Sequence, residues 1–210
     1  MDDQDHDILG ELLINIRQDN NTPHSTIYRN KIKTLLENNL HILTKDVNND
    51  GFANIFHLFC VKSNYEDVIE HILNILEIKG RISDVLDIKN KDGYTPLYFA
   101  TMYKNLNTIK ILIKFNADPR ILCITGATLF HKAVIADSLE ILKYLIEIIP
   151  DLKDKKIAEL SPLLLAALNG RFELVKFLLE CGCKIDFDTK EVENLIIREY
   201  LDNFQDLPSY

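Results

Sequence analysis

The chain has 210 residues, 47% of them hydrophobic, and a formal net charge of −8. That size and apolar share suit one folded domain or one continuous array, while the acid excess argues against nucleic acid, whose phosphates need clustered Lys and Arg, and suits a basic protein segment as partner. No apolar run approaches the about 20 residues that span a bilayer, and the acidic start Met1-Asp-Asp-Gln-Asp-His-Asp7 is unlike a secretion signal.

In chain order, Asp7 to Arg17 reads as a first helix and Thr26 to Asn39 as a second, with Ile32, Leu35 and Leu36 on one stripe and a polar loop, Asp19 to His24, between them. Asp2, Asp3, Asp5, Asp7 and Glu11 either complement the positive end of the first helix, at about 0.3–1 kcal/mol per charge, or steer a basic partner. Asn54-Ile-Phe-His-Leu-Phe-Cys60 opens a second helix pair, after an Asp50-Gly51 that predicts a small bulge. The apolar positions Val68, Ile69, Ile72, Leu73 and Leu76 predict one long helix from Tyr65 to about Ile78, followed by a long loop after Gly80.

Three more helix pairs follow. Thr95 to Tyr103 and Asn107 to Phe115 form the first, with Ile109, Leu112 and Ile113 inward and Asn116-Ala-Asp-Pro119 as its C-cap and stop. Thr128 to Ala136 and Ser138 to Ile148 form the next, with Leu142, Leu145 and Ile146 inward and Pro150-Asp151 as the break. Ser161 to Leu168 and Arg171 to Cys181 form the last, linked by Asn169-Gly170 and capped by Gly182. The segment from Arg120 to Thr125-Gly126 predicts a hairpin turn. Lys190 to Leu201 reads as a closing helix, and Leu207 to Tyr210 as a frayed end.

These pairs repeat. Thr95, Thr128 and Ser161 are 33 residues apart, as are Ala100, Ala133 and Ala166. A fixed period of this size marks stacked units, none of which buries its apolar face alone. Each Thr or Ser precedes a short helix whose first N–H groups its hydroxyl can cap, and Pro96 and Pro162 fit the first turn. From Asn54 to Thr95 the spacing is 41 residues, eight beyond the period.

Gly93-Tyr-Thr-Pro-Leu-Tyr-Phe-Ala100 with Ile111-Leu-Ile-Lys-Phe-Asn-Ala-Asp118, Gly126-Ala-Thr-Leu-Phe-His131 and Leu174-Val-Lys-Phe-Leu-Leu-Glu-Cys-Gly-Cys-Lys-Ile-Asp186 resemble the ankyrin repeat. The resemblance implies an all-α ankyrin-repeat solenoid, helix-turn-helix units joined by β-hairpin turns, in a right-handed curved stack. It divides a single domain into a degenerate N-terminal capping repeat (1–49), an extended repeat (50–90), repeats at 91–123, 124–156 and 157–187, and a C-terminal capping helix and tail (188–210). Tyr98 and Leu164 stand where the family has His, Glu159 where it has the hairpin Gly, and Asn54-Ile55 where it has Thr-Pro. In the family that His bonds backbone between units, which is the reading for His57 and His131.

The lengthened first repeat, Leu86-Asp-Ile-Lys-Asn90 and the acidic stretch Asp186 to Asp206 are also similar to the inhibitors of NF-κB. That likeness implies a binder of Rel-type dimers that masks their basic nuclear-localisation segment, in a short form without the Asp-Ser-Gly destruction signal, such as some insect-associated viruses encode. The alternative is an ankyrin adaptor or host-interaction effector for an unrelated protein.

The family's partner groove is lined by hairpin tips and first-helix ends. Those positions here are Asp92, Tyr94, Met102, Tyr103, Ala127, Ile135, Ala136, Leu160, Leu168 and Asn169, an apolar strip that either binds a partner or packs under the hairpins. Asp186, Asp188, Glu191 and Glu193 are a second candidate, or a solvated face. His6, His24, His41 and His71 show no metal-ligand spacing and read as solvent-exposed. Cys60, Cys123, Cys181 and Cys183 show no zinc or redox spacing and read as reduced thiols of a cytoplasmic or nuclear protein. No phosphate loop, nucleophile elbow or paired-carboxylate pattern appears, so catalytic, cofactor and metal residues are all expected to be none.

Overall fold

A computed structural model describes residues 3–19, 25–46 and 54–205. The bulge expected at Asp50-Gly51, the loop around His24 and the tail from Leu207 lie outside them. Among the described residues there are eleven α-helices and no strand. The chain divides into two compact units, Met1–Asp118 and Pro119–Tyr210.

The first unit holds α1 (Asp3–Gln18), α2 (Ser25–Asn38), α3 (Ile55–Val61), α4 (Glu66–Ile78), α5 (Pro96–Met102) and α6 (Leu106–Lys114). Short first helices pack on one another, α3 on α5, while the longer second helices form their own layer, α2 on α4 on α6. The second helices are amphipathic for that reason. Ile32 and Leu36 of α2, Val68, Ile69, Ile72, Leu73 and Leu76 of α4, and Ile109 and Leu112 of α6 are fully buried. Ile113, expected inward, is only half-buried, because Thr108, Ile109 and Leu112 set the buried stripe.

The second unit holds α7 (Leu129–Ile135), α8 (Leu139–Ile148), α9 (Pro162–Leu168), α10 (Phe172–Glu180) and α11 (Leu195–Gln205). It has the same two layers, α7 on α9 and α8 on α10. Ile141, Leu142 and Leu145 of α8 are buried and Ile146 is half-buried.

Side-chain caps start the first helices. Asn54, Thr95 and Ser161 accept from the backbone N–H groups of His57, Tyr98 and Leu164 at 3.0, 3.4 and 3.2 Å. Each satisfies a donor that a helix N-terminus leaves without a partner inside the helix. Asn116, with φ +70°, ends α6 in the left-handed conformation that Asn tolerates.

The eight extra residues of the early repeat divide between two features. Helix α4 is four residues longer than α6, and a 3₁₀ turn at Ile82–Asp84 leads into Val85 and Leu86, both buried. The turn itself buries no residue, and the chain re-enters the core only at Val85 and Leu86.

The hairpins are tight turns without ladders. In the first, Asn90 N–H donates to the Tyr94 carbonyl and Gly93 N–H to that of Asn90, both at 3.0 Å. In the second, Cys123 and Gly126 donate to Ala127 and Cys123. Gly93 and Gly126 carry φ of +78° and +80°, so each is a three-residue loop closed by a left-handed glycine. Glu159 cannot take that role cheaply. In the third turn the loop shortens to Ile157–Leu160, and Ala158 carries the positive φ, +52°.

The closing helix departs from its expected span. Lys190 to Leu201 is not one helix: a 3₁₀ turn covers Thr189–Glu191, Val192 is extended and buried, and α11 begins after Asn194. Asn194 Oδ1 accepts from Ile197 N–H at 3.2 Å. Asn194 lies 33 residues after Ser161, so the capping period runs once more. The helix is not seated as a first helix, however. Asn194 lies beside Gly170, and Tyr200 meets Phe172 edge-on with ring centroids 5.1 Å apart.

Candidate partner-binding surface

Helix α5 is about 10 Å long at the usual rise per residue, and it separates two groups of candidate residues. At its start, Asp92 and Tyr94 are half-buried. The Tyr94 ring stacks on Tyr98 at 5.4 Å and meets the edge of Phe99 at 6.4 Å, and its N–H donates to Asn90 Oδ1 at 2.7 Å. Tyr94 is thus held mainly by its own repeat. At the other end of α5, Met102 is half-buried and Tyr103 is 51% exposed.

In the second unit Ala127 is a correction: it is 6% exposed and lines no surface. Its carbonyl closes the hairpin from Cys123, which turns the residue back under the loop. Leu160 and Ala136 are half-buried. Ile135 and Leu168 end the mutually packed helices α7 and α9, at positions 33 residues apart, and are 55% and 49% exposed. They form an apolar pair in register. Asn169, exposed, follows Leu168 and donates to the Leu165 carbonyl. Beside the pair, Arg171 Nη1 bonds Asp137 Oδ2 at 3.0 Å, giving the apolar spot a charged edge.

The acidic candidates are all exposed. Asp186 pairs with Lys156 at 2.8 Å, and Asp188 caps the 3₁₀ turn by accepting from Lys190 N–H. Both have structural partners already. Of the N-terminal acids, Asp5 receives His41 Nε2 at 2.7 Å and Lys45 Nζ at 3.1 Å. The His41 hydrogen bond, then that of Lys45, holds its carboxyl below the usual range.

Folding gives two surface histidines carboxylate neighbours that spacing did not show. His41 has Asp5, and His71 has Glu37 at 3.5 Å, so neither is a bare solvent-facing ring. His57 and His131 are buried and serve a different purpose. His57 Nδ1 accepts from Asn54 N–H at 3.4 Å, and its Nε2–H points at the carbonyls of Ile88 and Tyr94, at 3.2 and 3.1 Å. His131 Nδ1 takes the hydroxyl and N–H of Thr128, and its Nε2 reaches the Leu160 carbonyl at 3.1 Å. Each ring therefore ties its repeat to the next hairpin, in the neutral form with the proton on Nε2. Desolvation pushes His57 down to about 4 and lowers His131 as well.

Among the described residues no cluster of His, Cys, Asp and Glu could hold a metal ion. All four cysteines carry free thiols, and burial pushes those of Cys60 and Cys183 far up, away from reactivity. No described helix is long and apolar enough to cross a membrane.

Comparison with known families returns ankyrin repeats in three overlapping copies, at residues 24–123, 56–156 and 108–191. The chain belongs to the ankyrin-repeat family. Repeats of this family form protein–protein interaction modules and are typically non-catalytic. A curated relative, described as NAD-dependent deacetylase sir2B of Dictyostelium discoideum, is 28% identical over 176 residues, 78% of this chain. The chain spans only 22% of that protein's length, so the match carries a shared segment and not the whole relative's activity.

Six exposed apolar residues lie outside the repeat positions read as a groove: Ile14, Ile27, Ile78, Ile124, Leu195 and Ile196, with Leu195 and Ile196 each 71% exposed and Ile27 53% exposed. The signal was present in Leu195-Ile-Ile197: three successive apolar residues on one helix cannot all face inward.

Proposed function

We propose that this ankyrin-repeat chain is a non-catalytic protein-binding module that engages its partner through the exposed first-helix ends Ile135 and Leu168 of the second unit. The observation that carries it is the Ile135–Leu168 pair. The other apolar positions of α7 and α9 are mostly buried, yet these two equivalent residues remain about half exposed. Exposed apolar side chains with a charged edge are what partner anchors look like before binding.

Ile135→Asp with Leu168→Asp should weaken partner binding by more than about 2 kcal/mol, roughly thirtyfold, with the melting temperature nearly unchanged. Quantitative affinity capture from the native cell, wild type against double variant, reads this out. Equal recovery of every wild-type partner by the variant removes the surface from consideration.

The finer reading is sequestration of a Rel-type dimer in the cytoplasm or nucleus. Its support is the lengthened early repeat, a long α4 followed by a 3₁₀ turn, and the exposed acids Glu191 and Glu193, which suit a basic segment. Co-precipitation with Rel homology domains at physiological salt tests it; no binding at micromolar protein ends that reading and leaves the general one standing.

A further inference from the structure

The two ends of the described chain each carry an apolar face that no described element covers. Helix α2 turns Arg29 and Lys33 toward α4, where both reach Asp67, and Glu37 meets His71 there. Its opposite face carries Ile27, Lys31, Thr34 and Leu35. With Asn30 and Glu11 these line a groove of about 480 Å³ between α1 and α2. Ile27 is 53% exposed, and Ile14, one turn along α1 from Glu11, is 54% exposed.

At the other end, α11 presents a ridge. Leu195 and Ile196 start it, and Glu199 and Asn203 continue it at helical spacing from Ile196. Behind Ile196, Phe172 and Tyr200 line a notch of about 200 Å³. The exposed charges on α11, Glu199 and Asp202, and Glu193 just before it are acidic, while Lys190 is exposed in the preceding 3₁₀ turn. The one cation on α11, Arg198, is folded back onto the carbonyls of Val192 and Lys190.

Ridge and groove match in shape class, and one pair of opposite charges can meet across them, although the groove also carries Glu11. An amphipathic helix laying an apolar stripe into an apolar groove is a common recognition mode. Here the stripe carries Glu199, and the groove carries the exposed Lys31. The fold already stacks helix layers side by side, α2 on α4 on α6. A helix laid on the outer side of α1 and α2 continues that packing on the face α4 does not use.

We propose that α11 of one copy docks in the α1/α2 groove of a second copy, head to tail, with Ile196 in the groove and Glu199 beside Lys31. The contact joins two different surfaces, so each pair retains one open groove and one open helix. Chains then lengthen with concentration unless the rotation closes a ring. The surfaces are small, which places the affinity at the weak, transient end.

Sedimentation velocity on the full chain from about 1 µM to about 1 mM tests the proposal. The expected result is an average mass that rises steadily past the dimer. Ile27→Asp and Ile196→Asp should each hold the chain monomeric, with unchanged circular dichroism and melting, because both side chains are mostly exposed. Mixing the two variants should restore a dimer and nothing larger, since the mixture contains one intact groove and one intact helix per pair. A wild-type chain that stays monomeric throughout the range overturns the proposal. So does a wild-type dimer plateau that mixing fails to restore, which marks a two-fold symmetric contact, or association that neither substitution weakens.

Discussion

Leu112→Ala should lower the free energy of unfolding by about 3 kcal/mol, within the 2–5 kcal/mol span for such truncations. Leu112 is fully buried on α6, which packs on both α4 and α5. Removing its three outer carbons forfeits their transfer free energy and leaves a cavity between two layers that cannot both close on it. The backbone adds to the cost of rearrangement, because the Leu112 carbonyl accepts from Phe115 and Ala117 N–H at the end of α6. Tyr103→Ala is the matched control. That side chain is half exposed, and its loss should move stability by no more than about 0.5 kcal/mol. Urea melts of the two variants decide the matter, and similar midpoint shifts in both would show that the assignment of core and surface is wrong.

Acid should weaken the fold before the carboxylates titrate. Burial holds His57 neutral down to about pH 4, whereas an unfolded chain protonates its histidines near pH 6.5. Above pH 6.5 both states carry neutral rings and no stability is at stake. As pH falls from 6.5 toward 4, the unfolded state takes up a proton that the folded ring refuses. Stability then drops, by up to about 1.4 kcal/mol per pH unit for this one residue, or roughly 3 kcal/mol across the window. His131 adds in the same direction. Burial is the main cause, and geometry adds to it, since a proton on Nδ1 would face the backbone N–H of Asn54 or of Thr128. Carboxylates held below their ordinary range, Asp5, Asp67 and Asp151, lose their contribution only at lower pH. His57→Gln should therefore be less stable than wild type at pH 7.5 yet nearly insensitive between pH 7 and 5, save for the share of His131. Urea midpoints measured along a pH series would reveal this, and an equal slope in wild type and variant would exclude His57 as the source.

Much of the fold was legible because its signals are local. Thr95, Thr128 and Ser161 announce helix starts through a hydroxyl at a fixed interval, and Asn116 announces an end through a conformation few residues accept. The length of α4 followed from five apolar positions in helical phase. The misses arise where the outcome depends on what lies opposite. Lys190 to Leu201 looked like one helix because its apolar residues keep step, but Val192 is drawn into the core as extended chain, and Asn194 offers a better cap than anything upstream. The capping interval of 33 residues also reaches Asn194. Ala127 looked like a groove residue because it neighbours a hairpin tip; the left-handed Gly126 bends the chain so that Ala127 lies at the base of the loop. Tyr94 and Tyr103 look alike in sequence, yet one stacks on Tyr98 and the other reaches solvent, a difference decided by neighbours from other elements. The tie of His57 and His131 to the next hairpin was readable only through the family likeness.

Those histidine ties have a direction. His57 waits for carbonyls 31 and 37 residues downstream, and His131 for one 29 residues downstream. On the ribosome, the earlier unit emerges with its imidazole donor still bonded to water, and gains its partner only after about one further repeat has left the exit tunnel. These two repeats are thus finished by their successors, one step behind synthesis from the amino end.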